Sequence, residues 1–205
     1  IALDISQSML CEDLSPSRMD RAIHIGEQLI KQLKAERVGL ILFAGEAYMQ
    51  MPLTHDYRTA LVFLRNARPD QAGQQGTAIA DAIELAAQRD DDVDQINRLL
   101  IILSDGEDHE GEAAEAAADA LARGVITFTV GVGTEEGGFI PVQFRGTDNY
   151  LRDESGNPVR TELVDASLRA IAEAGGGSYF SYTDTKTLYQ DIVTKVDRLQ
   201  RRMFE

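Results

Sequence analysis

Asp4, Ser6 and Ser8 stand on alternate residues of Ile1-Ala2-Leu3-Asp4-Ile5-Ser6-Gln7-Ser8-Met9, one carboxylate and two hydroxyls straight after a short apolar run. They offer only oxygen, the donor that a hard divalent cation such as Mg²⁺ prefers. A second carboxylate of the same kind follows roughly a hundred residues later. There Arg98-Leu99-Leu100-Ile101-Ile102-Leu103-Ser104-Asp105-Gly106-Glu107-Asp108 again ends an apolar run in aspartate. Between them, in Gln74-Gln75-Gly76-Thr77-Ala78-Ile79, Thr77 opens a helix and adds one more hydroxyl. If the strands that end at Asp4 and Asp105 are neighbours, the two carboxylates meet at one edge of a sheet and share a cation.

Such positioning needs parallel strands whose carboxyl ends line one crevice. The run before Asp4 is continuously apolar, as expected of a strand covered on both faces. Helical spacing over Met19–Leu33 places Ile23, Leu29, Ile30 and Leu33 on one face. Val38–Phe43 reads as the next buried strand, and Ala47–Met51 as a short antiparallel edge strand stopped by Pro52. Asp56–Arg65 and Thr77–Gln88 read as helices, with a polar loop over Asp70–Gly76 between them. Asp90–Asp94 reads as a solvated acidic turn. Leu99–Leu103 and Val125–Val130 are strands around an alanine-rich helix, Glu112–Arg123, that Gly124 ends. Residues 139–163 break the alternation with one or two surface hairpins laid over the sheet. Val164–Ala174 is a helix stopped by Gly175-Gly176-Gly177, Ser178–Tyr182 a last strand, and Thr187–Arg202 a closing helix with a basic end. The expected fold class is α/β: a doubly wound, mostly parallel sheet with right-handed crossovers and one short antiparallel edge strand.

D-x-S-x-S, a G-T at a helix start and S-D-G together resemble the metal-ion-dependent adhesion site (MIDAS) of a von Willebrand factor type A domain. The resemblance implies that Asp4, Ser6, Ser8, Thr77 and Asp105 surround one Mg²⁺, with Mn²⁺ or Ca²⁺ as alternative ions. The serines, and often the threonine, would bond the ion directly and an aspartate would act through water. One position is left for water or a partner's carboxylate. Further segments, Glu12-Asp13-Leu14, Arg37-Val38-Gly39-Leu40-Ile41-Leu42-Phe43-Ala44-Gly45, Leu53-Thr54, Asp108-His109-Glu110-Gly111 and Gly131-Val132-Gly133, extend the likeness over nearly the whole chain. Together they resemble the bacterial Bat (aerotolerance) group, BatA/BatB-like members above all. Members of that group are envelope proteins in which this domain sits beside transmembrane helices, and they are encoded with MoxR-type AAA+ ATPases. The implied partners are therefore a protein that supplies an Asp or Glu carboxylate, other Bat proteins and a MoxR-type ATPase. The implied location is the bacterial inner membrane and cell envelope, with the soluble domain in the periplasm.

Composition fits one compact domain over residues 1–205: 43% of residues are hydrophobic and 26% charged. Acidic residues outnumber lysine plus arginine 34 to 20, a formal charge of −14, which argues against nonspecific binding to nucleic acid or anionic lipid. Cys11 is the sole cysteine, so no internal disulfide forms and packing is its expected role. No run of about 18 apolar residues is present. Because the chain starts abruptly at Ile1, the first strand reads as truncated and flanking membrane helices as removed.

Enzymatic readings fare poorly. A haloacid dehalogenase-type phosphatase would use Asp4 as nucleophile with another aspartate two residues on, but Ser6 stands there and no acid/base partner replaces it. Gly131–Gly138 leads into hairpins rather than a helix, so it is no dinucleotide loop, and neither a Walker A loop nor a nucleophile elbow occurs. His109 and Glu110 lack the second histidine of a zinc-protease helix, and His24 and His55 read as surface residues. Glu107, Asp108 and His109 are candidates for the rim of the metal site. A metal ringed by hydroxyls keeps high Lewis acidity and seeks an anionic ligand. The expectation is thus a metal-dependent binding module and not an enzyme; a structural envelope domain with a fold-stabilising metal is the alternative, and the phosphatase the last option. Replacing Asp4 or Asp105 by alanine is expected to abolish metal-dependent association and leave the core folded.

Overall fold

A computed structural model of the chain describes residues 1–88, 98–108, 111–144, 147–184 and 187–194. The acidic run Asp90–Asp94, His109 with Glu110, Arg145 with Gly146, and the basic end of the closing helix lie outside the described residues.

Six strands form one sheet in the order β10-β5-β4-β1-β2-β3. They are β1 (Ala2–Asp4), β2 (Val38–Phe43), β3 (Ala47–Thr54), β4 (Arg98–Ser104), β5 (Val125–Gly131) and β10 (Gly176–Ser181). Only β3 runs antiparallel, against β2; the other pairs are parallel. The expected fold class is the observed one.

Continuous apolar strands arise because alternate residues feed two separate cores. In β2, Leu40 and Leu42 pack on one side while Ile41 and Phe43 pack on the other; in β4, Ile101 and Leu103 oppose Leu100 and Ile102 in the same way. Helices α1 (Arg18–Gln32) and α2 (Tyr57–Arg65) cover the first side. Leu188 and Ile192 of the helical residues 187–194 complete it. Helices α3 (Ile79–Ala87), α4 (Ala113–Ala122) and α5 (Asp165–Ala174) cover the second. Ser17 caps α1, its hydroxyl oxygen accepting from the Asp20 N–H at 3.1 Å, and Asp56 caps α2 by accepting from the Thr59 N–H at 3.0 Å.

Residues 138–161 form the expected insertion. An antiparallel hairpin joins β7 (Pro141–Phe144) to β8 (Thr147–Tyr150), and a second short ribbon pairs β6 (Gly138–Phe139) with β9 (Arg160–Thr161). Cys11 is buried beneath this ribbon: a side chain at Gly138 would begin 2.8 Å from its Sγ.

Most boundaries lie within a residue of expectation, and the larger differences have a physical reason. Pro52 does not stop β3, which runs on to Thr54. The strand lies at the sheet edge and its register shifts opposite Gly39, so the missing N–H of Pro52 falls where the ladder is already irregular. Thr77 does not open α3; the helix begins at Ile79, leaving Thr77 in the preceding loop. Gly176 and Gly177 begin β10 rather than separate it from α5, because they lie against β5, where a side chain at Gly177 would strike the Thr127 carbonyl oxygen.

Candidate functional site

β1 sits at the point where strand order reverses, with β2 on one side and β4 on the other, which is where an open α/β sheet forms its crevice. Register pairs Leu3 with Leu103, so Asp4, the last residue of β1, lies beside the end of β4, which Asp105 follows. Asp4 and Asp105 are fully buried, while Ser6, Ser8 and Thr77 are nearly so.

Short bonds hold Asp4, Ser6 and Ser8 together. The Ser6 N–H donates to Asp4 Oδ1 at 2.9 Å, and the Ser6 and Ser8 hydroxyls share a hydrogen bond of 2.9 Å. Ser104 Oγ donates to Asp4 Oδ2 at 2.6 Å while accepting from the Gly106 N–H at 3.0 Å. Gly106 allows the sharp turn: its φ is +77°, and a Cβ would begin 2.5 Å from the Val164 carbonyl oxygen. Thr77 reaches the same edge because its loop is tied to the end of β2. The Gly45 N–H donates to Gln74 O at 2.9 Å and the Ala78 N–H to Ala44 O at 2.6 Å.

The sequence reading missed Arg18, Asp13, Ser104 and Thr161. Arg18 is fully buried and all five of its N–H donors are used. Nε and Nη2 reach the two oxygens of Asp13 at 2.8 Å each; Nη1 reaches Asp105 Oδ2 at 2.9 Å and Thr161 Oγ1 at 2.9 Å; Nη2 also reaches the Thr161 carbonyl at 3.2 Å. One signal was available: a cation in the first turn of α1 opposes the helix dipole, a local conflict that marks a residue placed for another reason. Of the rim candidates, Glu107 is engaged, accepting from Thr161 Oγ1 at 2.6 Å and from the Glu162 N–H at 3.2 Å. Asp108 is partly buried beside it, and His24 and His55 are exposed as expected.

Burial sets the electrostatics. Desolvation, then the charge of Asp105, pushes the Asp4 carboxyl up to about 7, although bonds from Ser104 and Ser6 pull the other way. Desolvation likewise raises Asp105 above the usual carboxylate range despite bonding from Ser8 and the charge of Arg18. Burial opposes the charge on Arg18, but its bond to Asp13 and the field of Asp105 outweigh that and hold its pKa above the ordinary value. Among the described residues no group of three or more His, Cys, Asp or Glu is placed to hold a metal ion; the oxygen donors gathered here are the two carboxylates of Asp4 and Asp105 and the hydroxyls of Ser6, Ser8 and Thr77.

The profile of the von Willebrand factor type A domain matches residues 1–107. The crystal structure of BatB from Bacteroides thetaiotaomicron is similar at 40% identity and a TM-score of 0.89, over 96% of this chain and 97% of that one. An aerotolerance-related membrane protein from Bacteroides fragilis is similar at 36% identity and a TM-score of 0.86, over 94% and 96%. A UPF0353 protein of Nocardia farcinica is 28% identical over 217 residues, which cover 99% of this chain and 62% of that protein. The chain thus spans about three fifths of the length of the curated relatives it matches first, 62% and 59%. No helix among the described residues is long and apolar enough to cross a membrane. On the profile match and the two Bacteroides structures, the chain belongs to the von Willebrand factor type A domain family, in its Bat-like, aerotolerance-related membrane-protein branch.

Proposed function

We propose that the domain is a metal-dependent protein-protein interaction module, in which Asp4, Ser6, Ser8, Thr77 and Asp105 hold Mg²⁺ and a partner's Asp or Glu carboxylate completes the coordination. The observation that carries this reading is uncompensated charge in a desolvated place. Among the described residues Asp13, Asp105 and Glu107 are bonded in one group with the single guanidinium of Arg18, and Asp4 lies against Asp105, so full ionisation would leave an excess of three negative charges that burial resists by raising Asp4 and Asp105. A divalent cation answers that excess, and bound there it would supply Lewis acidity toward an incoming anion.

The all-oxygen set, two carboxylates with the Ser6, Ser8 and Thr77 hydroxyls, suits a hard cation, Mg²⁺ first with Mn²⁺ or Ca²⁺ as alternatives. A depression of about 480 Å³ is lined by Gln7, which lies between Ser6 and Ser8 in the chain, by Gln75, two residues before Thr77, and by Leu10, Arg68, Pro69 and Asp70, with Arg68 as a cation for an acidic segment. Bat-like kinship supports an envelope setting with the domain on the periplasmic side, joined to the membrane through segments outside this chain. Other Bat proteins and a MoxR-type ATPase are the partners that the kinship favours. The reading is of a binding module rather than a catalyst, because a cation ringed by hydroxyls keeps its Lewis acidity and seeks an added anionic ligand.

Titration calorimetry with MgCl₂ and MnCl₂ on wild type and Asp4→Asn, followed by capture of membrane proteins with and without EDTA, tests the proposal. The expected result is saturable binding that the substitution removes and capture that EDTA removes. Chelator-insensitive capture would sink the bridging role and leave the metal as a stabiliser of the fold.

Gly45→Ala tests the seating of Thr77 without deleting any donor. The new Cβ would lie 2.7 Å from Gln75 O and 2.9 Å from Gln74 O, backbone atoms that cannot swing aside as a side-chain tip can. The loop must shift, and affinity for Mg²⁺ should fall by about tenfold, the lower end for a disturbed supporting group. Unchanged affinity by calorimetry would show that Thr77 is not held by this contact.

A further inference from the structure

The bonds of Arg18 leave the site and enter the insertion. Its guanidinium touches Asp105 on one side and both the hydroxyl and the carbonyl of Thr161, in β9, on the other. Asp13, which grips the same guanidinium, also accepts from the N–H and hydroxyl of Thr134, at 2.9 and 3.0 Å, just before the insertion begins. The Thr161 hydroxyl in turn donates to Glu107, whose own N–H donates to Asp105 Oδ1 at 3.2 Å. Asp105 is thus fixed through both oxygens by groups that also hold the insertion, and the insertion is fastened at entry and exit. Gly133 leaves room for this arrangement, since a Cβ there would lie 3.1 Å from Arg18 Nε. A guanidinium needed only to neutralise Asp105 would not require the insertion to supply its remaining acceptors.

We propose that Arg18 is a positioning residue that couples the metal site to the inserted β6–β9 ribbon, so that ion binding at Asp105 and seating of the ribbon strengthen each other. This rests on the metal-binding reading above. Linkage requires the coupling to be reciprocal: whatever loosens the ribbon weakens the ion, and the ion tightens the ribbon by the same factor. An effector acting on the ribbon would then regulate metal-dependent capture.

Thr161→Val tests the coupling, because it keeps shape, lies outside the five proposed ligands and removes the hydroxyl that links Arg18 to Glu107. Thr161→Ser is the rescue. On the 205-residue chain, Mg²⁺ affinity is measured by calorimetry and amide hydrogen exchange is followed in β6 and β9 with MgCl₂ or EDTA. In wild type and Thr161→Ser, Mg²⁺ should slow exchange in β6 and β9. In Thr161→Val, affinity should fall by about five- to tenfold, within the range of ordinary site-to-site coupling, and Mg²⁺ should protect residues 4–8 and 104–107 but not the ribbon. Wild-type affinity with ribbon protection intact in Thr161→Val would overturn the coupling and leave the metal site standing. No Mg²⁺ binding by wild type would overturn both.

Discussion

Asp105→Ala is expected to destabilise the metal-free domain by about 3 kcal/mol, whereas Asp4→Asn should leave it as stable as wild type or more so. Taking one partner from a buried ion pair strands the other charge, at about 3–5 kcal/mol. Arg18 and Asp105 are both wholly buried at 2.9 Å. The lower figure applies because Asp13 still grips the guanidinium from its other side. Among the described residues Asp4 has no cationic partner; its bonds come from Ser104 and Ser6, and its ionised form opposes Asp105. An amide of the same shape relieves that opposition. Both variants should lose the response to Mg²⁺, so urea unfolding at pH 7.5, with and without MgCl₂, separates the roles. Equal loss of stability in the two variants without metal would refute the assignment. The sequence reading treats the two aspartates alike; the buried guanidinium distinguishes them.

Without metal, the domain should lose stability as pH rises from about 4 to about 7. The Asp4 carboxyl moves from an ordinary 3.8 to about 7 on folding. Between those values the folded chain keeps a proton that the unfolded chain releases, so the slope of stability against pH is negative. A separation of about 3 pH units at about 1.4 kcal/mol each gives on the order of 4 kcal/mol, and Asp105, raised as well, acts in the same direction. Asp13 and Glu27, whose carboxyls are held low, act oppositely: their contribution is full above the ordinary carboxylate range and lost in acid as pH falls through their depressed values. Saturating Mg²⁺ should flatten the decline, because the ion competes with the proton for the same oxygens. Thermal unfolding from pH 4.5 to 8 in EDTA and in MgCl₂ checks both statements; a curve in EDTA that climbs through this window would contradict the first.

The strands, and the placing of Asp4 and Asp105 at their carboxyl ends, were legible because each obeys a local rule. A continuous apolar run means a strand covered on both faces, and oxygen-bearing residues at its carboxyl end mean a crevice. Arg18 was not legible, since its meaning lies in Asp105 and Thr161, 87 and 143 residues away in the chain. Nor does any periodicity announce that an arginine at a helix start is wholly enclosed. Ser104 was hidden differently: as the last residue of β4 it reads as part of the S-D-G turn, and its bond to Asp4 appears only once β1 lies alongside. β3 outruns its expected end because a proline stops a strand inside a sheet but not at its rim.

That rim has a consequence for self-association. An outer strand of eight residues offers a row of unpaired backbone groups, and Met49 and Leu53 are exposed along it. Such a strand invites another chain to pair alongside and seed aggregation. The register shifts on either side of Leu40 divide β3 into short regular stretches, so an incoming strand would find only those to bond. Such irregularity works against sheet growth, an effect that would pass unnoticed in any measurement of the isolated fold at low concentration.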